Sequence, residues 1–107
     1  MGYYADGTGR VVFDRILDDR EKSTLRDEIS YFSIDIYDNK EASRTCVDIW
    51  NNGKYYSEIV EEILDYISKF ANIVEGEIDY IGEDYSMWRY IYQNGSWEEQ
   101  YGHVVYE

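Results

Sequence analysis

The sequence predicts an α+β domain, a two-layer sandwich with two helices on one face of an antiparallel sheet. Three observations carry this. "YFSIDIYD" from Tyr31 to Asp38 alternates apolar and polar residues as a half-buried strand does. The segment from about Lys54 to Phe70 carries an apolar stripe at helical spacing. Asn94-Gly95 separates two aromatic, strand-like runs, and both residues tolerate the positive φ of a tight hairpin.

The elements follow in order. "MGYYADGTG" is turn-like and aromatic. "RVVFDRIL" from Arg10 to Leu17 is the first expected strand, rich in β-branched and aromatic residues. Asp18 and Glu21 have the spacing of a capping box, which starts a helix from about Asp19 to Ser30 with Leu25 and Ile29 inward. In the next strand Phe32, Ile34 and Ile36 share one face; Tyr31, Ser33, Asp35 and Tyr37 share the other. "DNKEAS" turns, "RTCVDIW" is a strand, and "NNG" at Asn51 to Gly53 is expected to break it. The second helix presents Tyr56, Ile59, Val60, Ile63, Leu64, Ile67 and Phe70 as its stripe. "NIVEGEIDYIG", "SMWRYIYQ" and "SWEEQYGHVVYE" are three further strands. The order β-α-β-β-α-β-β-β contains a split βαβ, ferredoxin-like core with a C-terminal hairpin added. The remaining face of the sheet is expected to be open, or partly covered by the aromatic N-terminus.

A chain of 107 residues is one domain by size, residues 1–107. Its 13 tyrosines and 3 tryptophans argue for a folded chain, since disordered acidic chains are poor in aromatics. Cys46 is the only cysteine and cannot pair within the chain. With no secretory signal legible in "MGYYADGTGR" and no apolar run of spanning length, the expected location is the cytoplasm.

Charge is the strongest signal. The chain has 23 acids against 10 lysines and arginines, a net charge of −13. From residue 54 onward there are 12 acids and 3 such bases. This balance repels phosphates and favours basic surfaces, which in cells belong mostly to nucleic-acid-binding proteins.

Catalytic groups are few. Cys46 and the single histidine, His103, are the one candidate thiolate–imidazole pair. A small buried hydrophobe and an edge histidine are the simpler account of them, and the expected one. "DIYDNKEASRTCVD" lacks the ligand spacing of a calcium loop, and "DGTG" lacks the lysine and helix of a phosphate loop. No enzyme activity, cofactor or metal is expected. A small-molecule or nucleotide-signal binder would need Arg10, Arg15 or Arg89 gathered in one pocket.

"EGEIDYIGEDYSMW", Glu75 to Trp88, holds five acids and no base. Strand periodicity puts Glu75, Glu77 and Asp79 on one face, with Val74, Ile78 and Tyr80 on the other. Carboxylates repeat there every roughly 6.6 Å, and Glu83 and Asp84 are expected to continue the row. Like charges in a row cost stability. An edge strand that avoids aggregation is the plain explanation; a partner-binding surface is the functional one. In the second, Tyr80, Tyr85 and Trp88 serve as aromatic anchors beside the acids.

The beginning "MGYYADGTG" and the end "GEDYSMWRYIYQNGSWEEQYGHVVYE" resemble those of small proteins encoded by phages and mobile elements of bacteria. Those proteins have no assigned chemistry, so the resemblance transfers no site. In size, acidity and lack of catalytic groups the chain is also similar in type to anti-CRISPR proteins and other DNA mimics. That likeness implies a stoichiometric inhibitor occupying the basic nucleic-acid groove of a host defence complex, a CRISPR–Cas effector foremost. A phage structural or assembly protein, acidic only for solubility, is a further alternative.

Overall fold

A computed structural model describes residues 2–102. It contains β1 (Tyr4–Phe13), α1 (Asp19–Glu28), β2 (Ser33–Asn39), β3 (Arg44–Lys54), α2 (Ser57–Phe70), β4 (Ile73–Gly82), β5 (Met87–Gln93) and β6 (Ser96–Tyr101). The strands form one sheet in the order β2-β3-β1-β4-β5-β6, and each neighbouring pair is antiparallel. The first four strands have the ferredoxin-like order, and the β5–β6 hairpin extends the β4 edge, as the sequence predicts.

Alternation decides which face meets the helices. Val11 and Phe13 of β1, Val47 and Ile49 of β3, Ile78 and Tyr80 of β4, and Trp88 and Tyr90 of β5 all enter one core. Leu25 from α1 and Val60, Ile63, Leu64 and Ile67 from α2 enter the same core, as does Ile29, which caps α1. The helices therefore lie on a single face. The expected helical stripe is narrower than the sequence suggests: Tyr56 and Ile59 remain exposed at 43% and 38%.

Local chemistry fixes the ends. The Asp18 carboxylate accepts from the Glu21 N–H at 2.7 Å, and the Glu21 carboxylate accepts from the Asp18 N–H at 3.0 Å. This is the capping box read from the sequence. Arg15 grips the same Glu21 carboxylate with both terminal nitrogens, at 2.9 and 2.6 Å. Asn94 (φ 56°) and Gly95 (φ 82°) make the β5–β6 turn as expected.

Several strand boundaries differ from expectation: β1 ends at Phe13, not Leu17, and β2 begins at Ser33, not Tyr31. The opening "YADGTG" is the first half of β1 and no turn. Its glycines make room for neighbours: a Cβ on Gly7 would lie 2.4 Å from the Tyr80 ring. Likewise "NNG" continues β3 to Lys54, because Asn51, Asn52 and Gly53 pair with Gly7, Asp6 and Ala5 of β1. Asn51 points into the core and accepts the Tyr80 hydroxyl at 2.9 Å, so its polarity is satisfied. The second helix accordingly begins at Ser57, not near Lys54. The aromatic N-terminus divides between the faces: the Tyr3 ring packs 6.1 Å from Trp88 on the helix side and fills the space above Gly82. Tyr4, of the opposite parity to core-facing Ala5, stands at the end of the open face near Ile81 and leaves the rest of that face uncovered.

Candidate functional site

The open face is the candidate site. Glu75, Glu77 and Asp79 alternate with the core-facing residues of β4, so all three carboxylates stand on the side away from the helices, as the periodicity predicts. Strand pairing adds acids from elsewhere in the chain. Asp35 pairs with Asp48, Asp48 with Arg10, Arg10 with Glu77, Glu77 with Ile91, and Ile91 with Glu98. Four carboxylates thus line one transverse row, with neighbouring strands about 4.8 Å apart. Sequence reasoning missed Asp35, Asp48 and Glu98 as members. Their parity within a strand is legible, but which strand lies beside which is set by topology.

Two arginines temper this surface. Arg10 Nε donates to Asp48 at 2.7 Å, and its guanidinium lies 6.0 Å from the Tyr37 ring centre. Arg89 donates to Glu77 at 2.8 Å and to Gln100 at 3.1 Å. Arg15 is bound to Glu21 on the other side of the fold, so the three arginines do not gather into an anion pocket. Asp79 is left without such a bond, although Arg89 is its cross-strand partner. Partial burial, and then the neighbouring Glu77 charge, push the Asp79 carboxyl above its ordinary value. Its ionised form is therefore held at a cost that an incoming cation would relieve.

The row does not continue through the turn. Ile81 follows Asp79 on the same face and is 41% exposed. The Glu83 carboxylate turns back to the Tyr4 N–H at 3.3 Å. Asp84 accepts from the Tyr3 hydroxyl and from the Ser86 N–H, and those bonds lower its carboxyl below the ordinary value. Both acids are engaged in closing the β4–β5 loop against the N-terminus.

Of the expected aromatic anchors, one is on the surface. Tyr80 and Trp88 are buried at 2% and 8%, on the helix side, stacked 5.5 Å apart with an angle of 5° between their rings. They are core residues and cannot touch a partner from the acidic face. Tyr85 is 71% exposed and adopts φ 65°, a left-handed conformation that costs a non-glycine residue energy. Other exposed apolar groups join it. Tyr4, Ile81 and Tyr85 line a shallow hollow of about 430 Å³, Met87 pairs with Ile81, and Trp50 lies two strands from Asp79 across Thr8. The face is thus acidic in its middle and apolar at the end nearest the β4–β5 loop.

Cys46 is buried on β3, and His103 lies outside the described residues. Among the described residues no three His, Cys, Asp or Glu side chains are grouped to hold a metal ion, and no helix is long and apolar enough to cross a membrane. The fold and this face describe a two-layer α+β domain with an uncovered acidic sheet. No family model matches the chain, and no curated protein or solved structure is significantly similar to it.

Proposed function

We propose that the chain is a non-enzymatic binding protein that lays its open sheet face on a basic, nucleic-acid-binding groove of a bacterial defence complex. A CRISPR–Cas effector is the foremost candidate, and the cytoplasm of the host cell is the place of action. The protein acts as a stoichiometric inhibitor, with carboxylates standing where phosphates would lie.

One observation carries this: the uncovered face sets Glu75, Glu77 and Asp79 beside exposed Trp50, Ile81, Met87 and Tyr85. Charge alone is explained by solubility. Charge beside large apolar groups that folding leaves exposed has the make-up of a protein interface, with anchors to bury and carboxylates to meet arginine and lysine. The same charge disfavours self-association through this face, because two copies would bring like carboxylates together.

The test is affinity capture from bacterial lysate at low and high salt, followed by competition with duplex DNA. The expected partner binds nucleic acid, is released by salt, and is displaced by DNA. Replacing Glu75→Gln, Glu77→Gln and Asp79→Asn together should weaken capture at least tenfold. Glu58→Gln with Glu62→Gln, on the exposed side of α2, should leave it unchanged. A partner that still binds DNA while captured, or that ignores the triple replacement, would sink the proposal.

A further inference from the structure

The opposite face carries a second feature that the acidic sheet does not explain. Between α2 and the β5–β6 hairpin runs a cleft made of two adjoining hollows, each of about 320 Å³, which share Glu61 and Glu99. Rings wall the first hollow: Tyr3, Tyr55, Trp88 and Tyr101. The second is bounded by Leu64, Tyr90 and Trp97, with Asp65 at its rim. No lysine or arginine lines either hollow.

Glu99 is out of pattern. It pairs with Tyr90, a core-facing residue that is 2% exposed, so its carboxylate stands on the helix side of β6. A strand residue there is ordinarily apolar. The surrounding hydroxyls accommodate it. Trp88 Nε1–H donates to the Tyr55 oxygen at 3.1 Å, and the Tyr55 and Tyr90 hydroxyls are bonded at 2.6 Å. Burial first, then the bond to Tyr55, push the Tyr90 hydroxyl far above its ordinary value, so it remains a proton donor. Tyr101 donates to Glu99 at 2.7 Å from the outer side. The result is an exposed carboxylate held by Tyr101, sharing an aromatic-walled slot with the exposed Glu61.

We propose that this cleft binds a guanidinium group, the head of an arginine side chain. Two carboxylates without a lining base call for a cation. Aromatic walls favour a weakly hydrated one, which gains from ring faces what it loses in water. A planar guanidinium satisfies both conditions: it stacks on tyrosine and forks to a carboxylate through paired N–H groups. A lysine ammonium is more strongly hydrated and gains less from the rings. The cleft lies on the helix side, so this assignment stands or falls separately from the role of the sheet face.

The test is an NMR titration of the full chain with acetyl-Gly-Arg-Gly-amide, its lysine counterpart, and agmatine. Saturable shifts are expected at Glu61, Glu99 and the Trp88 indole N–H, with millimolar affinity for the arginine peptide and weaker binding of the lysine peptide. Glu61→Gln with Glu99→Gln should weaken binding about tenfold, while the sheet-face triple variant should bind as the wild type does. Agmatine binding equal to the arginine peptide supports the site with a free guanidine as its source; tighter peptide binding supports it with a polypeptide source. Linear shifts spread over all acids, or equal binding of the lysine peptide, overturn the proposal.

Discussion

Tyr80 donates its hydroxyl to Asn51 at 2.9 Å inside the core, joining β4 to β3 across the intervening strand β1. Burial pushes the hydroxyl far above its ordinary pKa, so it stays a donor at any physiological pH. Tyr80→Phe leaves the Asn51 oxygen without that donor, a loss of about 1–3 kcal/mol for a buried acceptor. Chemical denaturation should show this as a lower midpoint with an unchanged slope. Adding Asn51→Leu should recover part of the loss, since removing both polar partners is cheaper than orphaning one. Capture of a partner by the acidic face should be unaffected by Tyr80→Phe.

The same ring constrains Gly7. A methyl group there would lie 2.4 Å from Tyr80 Cε1 and 2.8 Å from Cδ1 and Cζ. The ring has nowhere to go, because its hydroxyl is tied to Asn51 and its face is stacked on Trp88. Gly7→Ala is therefore expected to cost about 1–3 kcal/mol by overpacking, measured as a lower thermal midpoint. Tyr80→Phe should rescue little of it, since the ring atoms that clash remain and the stack on Trp88 still holds them.

These contacts mark where the sequence stops being legible. Alternation, the α2 stripe, the Asp18–Glu21 cap and the Asn94-Gly95 turn are local patterns, and each element they predict is present. Gly7 in "YADGTG" is read as a turn residue only because the ring that requires it is far along the chain, in β4. Asn51 in "NNG" misleads for the same reason: its partner is Tyr80. Of the acidic site, the Glu75–Glu77–Asp79 row follows from strand parity alone. That parity also sets Tyr80 on the face away from the acids, so its burial was legible. The loss of Glu83 and Asp84 from the row was not, because it depends on where the N-terminus lies.

Opposed carboxylate shifts give the stability a definite pH dependence. The Arg15 guanidinium, and then the Asp18 N–H, lower the Glu21 carboxyl to about 2. Asp38 is lowered by Lys22 and Thr45. Groups lowered on folding contribute stability above their unfolded value, 4.5 for Glu21, and lose it as the pH falls through the folded value. Asp79 has the opposite sign: its raised value is a penalty at neutral pH that protonation removes. Denaturation curves should therefore show Glu21→Gln less stable than the wild type above pH 4.5, with the gap closing towards pH 2. Asp79→Asn should be more stable than the wild type at neutral pH, with its gap also closing on acidification.

Tyr85 separates folding from binding most directly. Its N–H closes the β4–β5 loop by donating to the Gly82 carbonyl at 2.9 Å, at a position that demands φ 65°. Asparagine suits that conformation better than tyrosine or alanine does. The ring, 71% exposed, contributes little packing in return. Tyr85→Asn should thus raise stability by about 0.5–1 kcal/mol through relief of backbone strain. Tyr85→Ala, which keeps the strain and drops the ring, should leave stability within about 0.5 kcal/mol of the wild type. If the ring is an anchor of the acidic face, both variants should lose partner affinity by a similar factor, fivefold or more, despite their different stabilities. A loss that followed stability instead would assign Tyr85 to the loop alone, and undiminished capture by both variants would remove it from the interface.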